Sequence, residues 1–193
     1  MLLGGYSSCQ GCGCQPALTC FDGVTPASDY DAFNDTGFLA GGISIGSSPQ
    51  TLSSVTIYND GSTAGTVTCI LWPNDTTNSS LPFGPRPKPR QDNPPYNFPP
   101  ECVFLTPPGS FSGSTWTFTN SGVTLNANTI YWIVMAGRNQ TGANRGSGGW
   151  RWEDWIGAVN VSDTCYQLSS ITQNSATLWS DNLAGNRYLF DWS

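Results

Sequence analysis

Apolar residues in this chain recur at every second position, in segments too short to be anything but strands. Thr115-Trp116-Thr117-Phe118-Thr119 alternates without a break, and Tyr188, Phe190 and Trp192 do the same near the end of the chain. Successive strand side chains point to opposite faces, so this pattern buries one face and wets the other. Segments 38–45, 51–58, 65–72, 102–105, 114–119, 128–135, 175–179 and 186–192 read as strands on this basis. In 65–72, Val67, Cys69 and Leu71 share one face, while Thr66, Thr68 and Ile70 share the other. Segment 128–135 is apolar on both faces and reads as a fully buried central strand. Asn59-Asp60-Gly61 is turn chemistry that ends the second strand. Residues 24–37 read as an acidic loop, 144–149 as a glycine-rich turn, and 151–155 fits no single class. No segment combines a 3.6-residue period with helix caps. The expected fold is all-β: an antiparallel β-sandwich or jelly roll.

The 193 residues suit one domain with an appended segment. We divide them into a cysteine-rich, irregular N-terminal arm at 1–23 and a β-sandwich domain at 24–193. The domain carries a proline-rich insertion at 73–101, where prolines forbid regular ladders. Charged residues are only 10%, seven basic against thirteen acidic, for a net charge of −6. That balance excludes nucleic acid as a partner, since phosphate binding needs clustered Lys and Arg. The chain has no histidine, which removes Ser-His-Asp and Cys-His catalysis and imidazole zinc sites. Lys88 is the single lysine, so Schiff-base chemistry would have to use a residue in the proline-rich loop. No run approaches 18 apolar residues, so no membrane span is expected. The start, Met1-Leu2-Leu3-Gly4-Gly5-Tyr6, lacks the cationic and apolar regions of a secretory signal. Few charges, abundant Ser, Thr, Asn and Gly, and seven cysteines are nonetheless the dress of an extracellular protein. A virion component released by lysis meets both conditions; a secreted or cell-surface protein is the alternative.

The order of these segments is familiar. "FDGVTPASDYDAFNDTGFLAGGISIGSSPQTLSSVTIYNDGSTAGTVTCILW", then "FSGSTWTFTNSGVTLNANTIYWIVM", then a Trp-bearing stretch and "NRYLFDWS" resemble the choice-of-anchor type β-sandwich domains of bacterial extracellular proteins. Relatives of those domains also occur in phage structural proteins. The resemblance covers roughly 20–193 and is most specific at 123–134, where it implies a strand hairpin. It implies a display fold and transfers no catalytic residue. The N-terminal cysteines and the proline-rich insertion depart from the pattern.

Five groupings can carry chemistry. Cys9, Cys12, Cys14 and Cys20 form C-x2-C-x-C-x5-C, which can hold zinc through four thiolates. Disulfides are the simpler reading, with Cys165 a fifth candidate, although a reducing compartment opposes them. Cys69 and Cys102 flank the insertion, and a bridge between them would clamp its base for roughly 3–4 kcal/mol by loop entropy. Two buried core thiols are the alternative. Arg86, Lys88 and Arg90 place three of seven cations within five positions of extended, polyproline-like chain, which suits docking on an acidic neighbour; a solvated loop kept soluble by its charge is the alternative. Trp150, Trp152 and Trp155 offer flat rings for stacking on sugars beside Glu153 and Asp154, but such rings more often fill a sandwich core or a subunit contact, and adjacent strand carboxylates point to opposite faces and do not make a hydrolase pair. Asp29, Asp31, Asn34 and Asp35 are oxygen-rich and could supply calcium ligands, but they lack the EF-hand order, and turn chemistry is the simpler reading.

The sequence therefore leads to a non-enzymatic structural protein without a cofactor. Its expected role is bacteriophage capsid decoration as a cement protein, or a place in the tail or fibre. Its expected partners are other virion proteins, the major capsid or tail subunits, and further copies of itself. The alternative is an extracellular carbohydrate-binding module.

Overall fold

The computed structural model describes residues 18–19, 30–34, 37–75, 98–138, 146–154, 186–188 and 190–193. The strands among them are β1 (Leu18–Thr19), β2 (Tyr30–Phe33), β3 (Leu39–Ser44), β4 (Gln50–Ala64), β5 (Thr68–Pro73), β6 (Val103–Phe104), β7 (Thr115–Leu125), β8 (Ile130–Ala136), β9 (Ser147–Asp154), β10 (Asn186–Tyr188) and β11 (Phe190–Trp192). The described residues contain no helix, and so none long and apolar enough to cross a membrane.

The strands form two antiparallel sheets packed as a β-sandwich. The larger runs β1-β11-β4-β9-β10, with β7 also on β4 and β2 also on β9. The smaller runs β3-β8-β5-β6. The spine of the larger sheet is the 15-residue β4. Its first half pairs with β7 and β11, and its end pairs with β9. Near its start the N–H groups of Ser53 and Ser54 both donate to the carbonyl of Ser193, the second at 3.0 Å. Two donors on one acceptor mark a β-bulge, which sharpens the local twist.

Alternation places the core as the sequence requires. Val67, Cys69 and Leu71 face inward with Leu39, Ile43, Ile133 and Met135 of the smaller sheet. They meet Leu52, Val55, Ile57, Trp116, Phe118, Trp150 and Phe190 of the larger. Trp116 wedges edge-on against Phe33 and Phe111, with centroids at 6.4 and 5.6 Å. Such edge-to-face contacts add about 0.5–1.5 kcal/mol to the burial of each pair.

The smaller sheet is apolar on its outer face too. Phe38, Ala40, Ile70, Trp72, Trp132, Val134 and Ala136 are buried there, with Phe98, Cys102, Phe104 and Ile130 packed against them. Phe98 is the hub: its ring stacks on Phe38 at 6.2 Å and meets Trp72 and Phe104 edge-on at 5.6 and 5.1 Å. This second layer explains why β8 has no polar face. The expected central strand is indeed buried on both sides and paired on both edges.

Several expectations are corrected. Asn59-Asp60-Gly61 does not end β4 but kinks it. Asn59 Oδ1 accepts the Gly61 N–H at 2.6 Å and Asp60 Oδ1 the Ser62 N–H at 2.9 Å, while Gly61 supplies a φ of 84°. The register shifts between Asn59 and Thr63, and pairing then resumes against β9. Residues 123–134 do not form a hairpin, because β7 belongs to the larger sheet and β8 to the smaller. The intervening turn is an arch between layers, with Asn128 at a φ of 53° and its N–H on the Gly46 carbonyl at 2.8 Å. The glycine-rich segment 147–149 is strand, not turn. Part of the acidic loop is β2. Segment 186–192 is two strands, β10 and β11, which pair with β9 and β4 respectively.

Candidate functional site

The two outer faces of the sandwich differ in kind. That of the smaller sheet is apolar and covered. That of the larger sheet carries hydroxyls, charges and rings. Val55, Ile57 and Asn59 of β4 point inward, so Thr56, Tyr58 and Asp60 point outward. Thr56 shares a hydroxyl bond with Thr117 of β7 at 2.9 Å, and Ser54 shares one with Ser193 at 2.8 Å. The Tyr58 hydroxyl donates to Asp191 Oδ2 at 2.6 Å. That bond, reinforced by burial and by the carboxylate's charge, pushes the phenol up to about 12.

The kink in β4 carries this face onto β9 and β2. Ala32 stands opposite Gly149 and Tyr30 opposite Arg151. A Cβ on Gly149 would lie 2.6 Å from both Asp60 Cγ and Tyr30 Cδ2, so glycine there lets the carboxylate and the ring close over the strand from either side. The Asp60 carboxylate is fixed from behind by the backbone N–H of Ser62 at 2.9 Å and by its hydroxyl at 2.7 Å. Arg151 Nε donates to the Asn59 carbonyl at 2.7 Å, which anchors the guanidinium to the same kink. Tyr30 is 50% exposed and is the one large hydrophobic residue that the described surface displays.

The residues singled out from the sequence fall elsewhere. Trp150 is fully buried in the core, edge-on to Phe190 at 5.8 Å, and is no stacking platform. The Trp152 side chain and all of Trp155 lie outside the described residues. So do Cys9, Cys12, Cys14, Cys20, Cys165, Arg86, Lys88, Arg90 and the strand expected at 175–179. The clamp between Cys69 and Cys102 is not formed; both are thiols. Cys69 lies opposite Leu105, whose N–H donates to its carbonyl at 3.0 Å, and faces the inner core. Cys102 packs on the outer layer. Two residues on opposite faces of one sheet cannot bring their sulfurs together. Burial pushes the Cys69 thiol far up, so it stays protonated.

Asn34 answers to turn chemistry, its Oδ1 accepting the Gly37 N–H at 2.8 Å. Among the described residues no three Cys, Asp or Glu side chains gather to hold a metal. Sequence reasoning missed Tyr30, Asp60 and Arg151, which meet only through strand pairing across the chain. Comparison with known proteins gives no match: no family model, no curated protein and no solved structure is significantly similar to this chain.

Proposed function

We propose that this protein is a non-enzymatic structural component of a virion, a capsid decoration protein or a part of the tail or fibre, which binds neighbouring subunits and further copies of itself. One observation carries the reading: the proline-rich insertion is rooted at both ends in a rigid base. At its exit Asn74 Oδ1 accepts the indole N–H of Trp132 at 3.0 Å, and at its return Phe98 is held in the aromatic cluster. A basic arm on firm roots, borne by an acidic body, suits an acidic partner surface. The energy of such docking comes from complementarity, and its salt dependence from Arg86, Lys88 and Arg90. Four of the seven cysteines fall within 1–23, which suits an arm that stiffens or cross-links once outside the cell. The resemblance to choice-of-anchor domains supports a display role over catalysis.

Mass spectrometry of density-purified particles tests this directly. A copy number near that of the major shell protein is expected for decoration, and a low one for tail or fibre. Replacing Arg86, Lys88 and Arg90 together by Ala should release the protein from particles at physiological salt. A chain that stays monomeric and never copurifies with particles would refute the proposal.

A further inference from the structure

We propose that the hydroxyl ladder of β4 and β7, on the outer face of the larger sheet, is the surface through which two copies of this chain pair. The inference rests on the self-association proposed above and names the face that carries it. Past the β4 bulge, the outward positions of the two strands stand opposite each other as Ser54 with Thr119, Thr56 with Thr117 and Tyr58 with Thr115. All six carry a hydroxyl and none a charge. A fourth row, Thr51 with Thr124, continues the ladder on the other side of the bulge. Thr115, Thr117 and Thr119 are exposed, so the β7 side of the ladder is open to contact.

Three properties fit this face to a second copy of itself. A two-fold interface brings the same patch of both chains together, so the patch must be self-complementary. A hydroxyl both donates and accepts, so rows of hydroxyls meet that condition, which rows of carboxylates or ammonium groups do not. Charge is the second property. Each copy carries a net −6, and two such bodies repel least where neither presents a charge. Asp60 and Arg151 lie past the kink, at the β9 end of the sheet. Asp191 is the charge beside the ladder, and the Tyr58 hydroxyl donates to it at 2.6 Å. Order is the third. Threonine is stiff about its first torsion, and the Thr56–Thr117 and Ser54–Ser193 hydroxyl bonds, at 2.9 and 2.8 Å, already hold their side chains. Little side-chain freedom is left to lose on pairing. The ladder is short and about three strands wide, which puts the contact at the small, weak end of specific interfaces.

Analytical ultracentrifugation of the full chain, from micromolar to millimolar concentration, tests this. A monomer–dimer equilibrium is expected, and added salt should strengthen it by screening the repulsion of two acidic bodies. Thr117→Glu and Thr117→Lys should each weaken pairing by at least tenfold, and an equal mixture of the two should restore it. Ser48→Glu, exposed in the turn before β4, should leave it unchanged. If either Thr117 variant fails to fold, Thr115→Glu and Thr115→Lys carry the test. The proposal is overturned if the chain is monomeric at every concentration, if pairing survives both substitutions, or if the mixture stays apart. It is also overturned if salt dissolves the dimer, which would assign pairing to Arg86, Lys88 and Arg90 on an acidic body. Particle binding is read separately. A monomeric chain that still copurifies with particles removes this interface and leaves the virion reading standing, and a dimer absent from particles does the reverse.

Discussion

At the scale of single residues, Tyr58 sets how the fold responds to alkali. Its phenol donates to Asp191 and is pushed up to about 12 from an ordinary 10.0. The neutral phenol is therefore favoured in the folded state. Its contribution to stability is complete below pH 10 and is lost as pH rises through 12. Tyr58→Phe removes the bond and should cost about 0.5–1 kcal/mol near neutrality, since water screens a bond at this half-buried site. Urea denaturation at pH 8 and pH 11 checks both parts: the wild type should lose more stability between the two than Tyr58→Phe. Equal losses would show that the bond is not formed in solution. Which residues face the core was legible wherever alternation was clean, as at Val67, Cys69 and Leu71. That a ring of the Trp150, Trp152 and Trp155 group fills the core was the simpler reading, but that Trp150 is one was not legible, because its neighbours Gly148 and Gly149 have no side chains to mark a face. The Cys69–Cys102 pairing failed for a related reason. Proximity in sequence to a common loop does not say which face each thiol takes, and one face apart is enough to forbid a bridge.

At the scale of elements, pairing of β9 with β2 and β4 decides what the glycines mean. Read locally, they mark a turn. In the sheet they are places where large side chains cross the strand. A Cβ on Gly148 would lie 2.7 Å from Trp116 Cη2 and 2.9 Å from Phe33 Cζ, both in the core. Neither ring can retreat, since Trp116 is fixed edge-on by Phe111 and Phe33. Gly148→Ala should therefore destabilise by about 1–3 kcal/mol, the range of overpacking in a filled core. Chemical denaturation measures it, and a neutral Gly148→Ala would mean that Trp116 has room to move. The same logic explains the arch at 123–134. Its two strands follow each other across a short turn as a hairpin's would, and no local signal says that they join different sheets. That choice is made by distant partners: β4 for β7, and β3 and β5 for β8.

At the scale of the whole molecule, the smaller sheet acts as a middle layer rather than as one wall of a two-layer sandwich. The fully apolar β8 foretold its burial, but the second apolar cluster was not legible, because its hub, Phe98, stands among prolines with no periodicity around it. If that layer is part of one cooperative unit, weakening it must weaken the entire fold. Phe98 is half-buried, so Phe98→Ala should cost about 2–3 kcal/mol, below the 3–5 of a fully buried phenylalanine. It should cost this globally. The amides of β8, paired on both edges and buried on both faces, should exchange with solvent only through complete unfolding. Hydrogen exchange then gives a sharp comparison. In Phe98→Ala the protection of β8 should fall by the same free energy that denaturation records, because there is no smaller opening that exposes it. A variant that leaves β8 protection and the denaturation midpoint unchanged would show that the outer layer is an appendage on an independent sandwich. The insertion would then be rooted in a part that can detach, and the rigid base that the proposed arm requires would be lost.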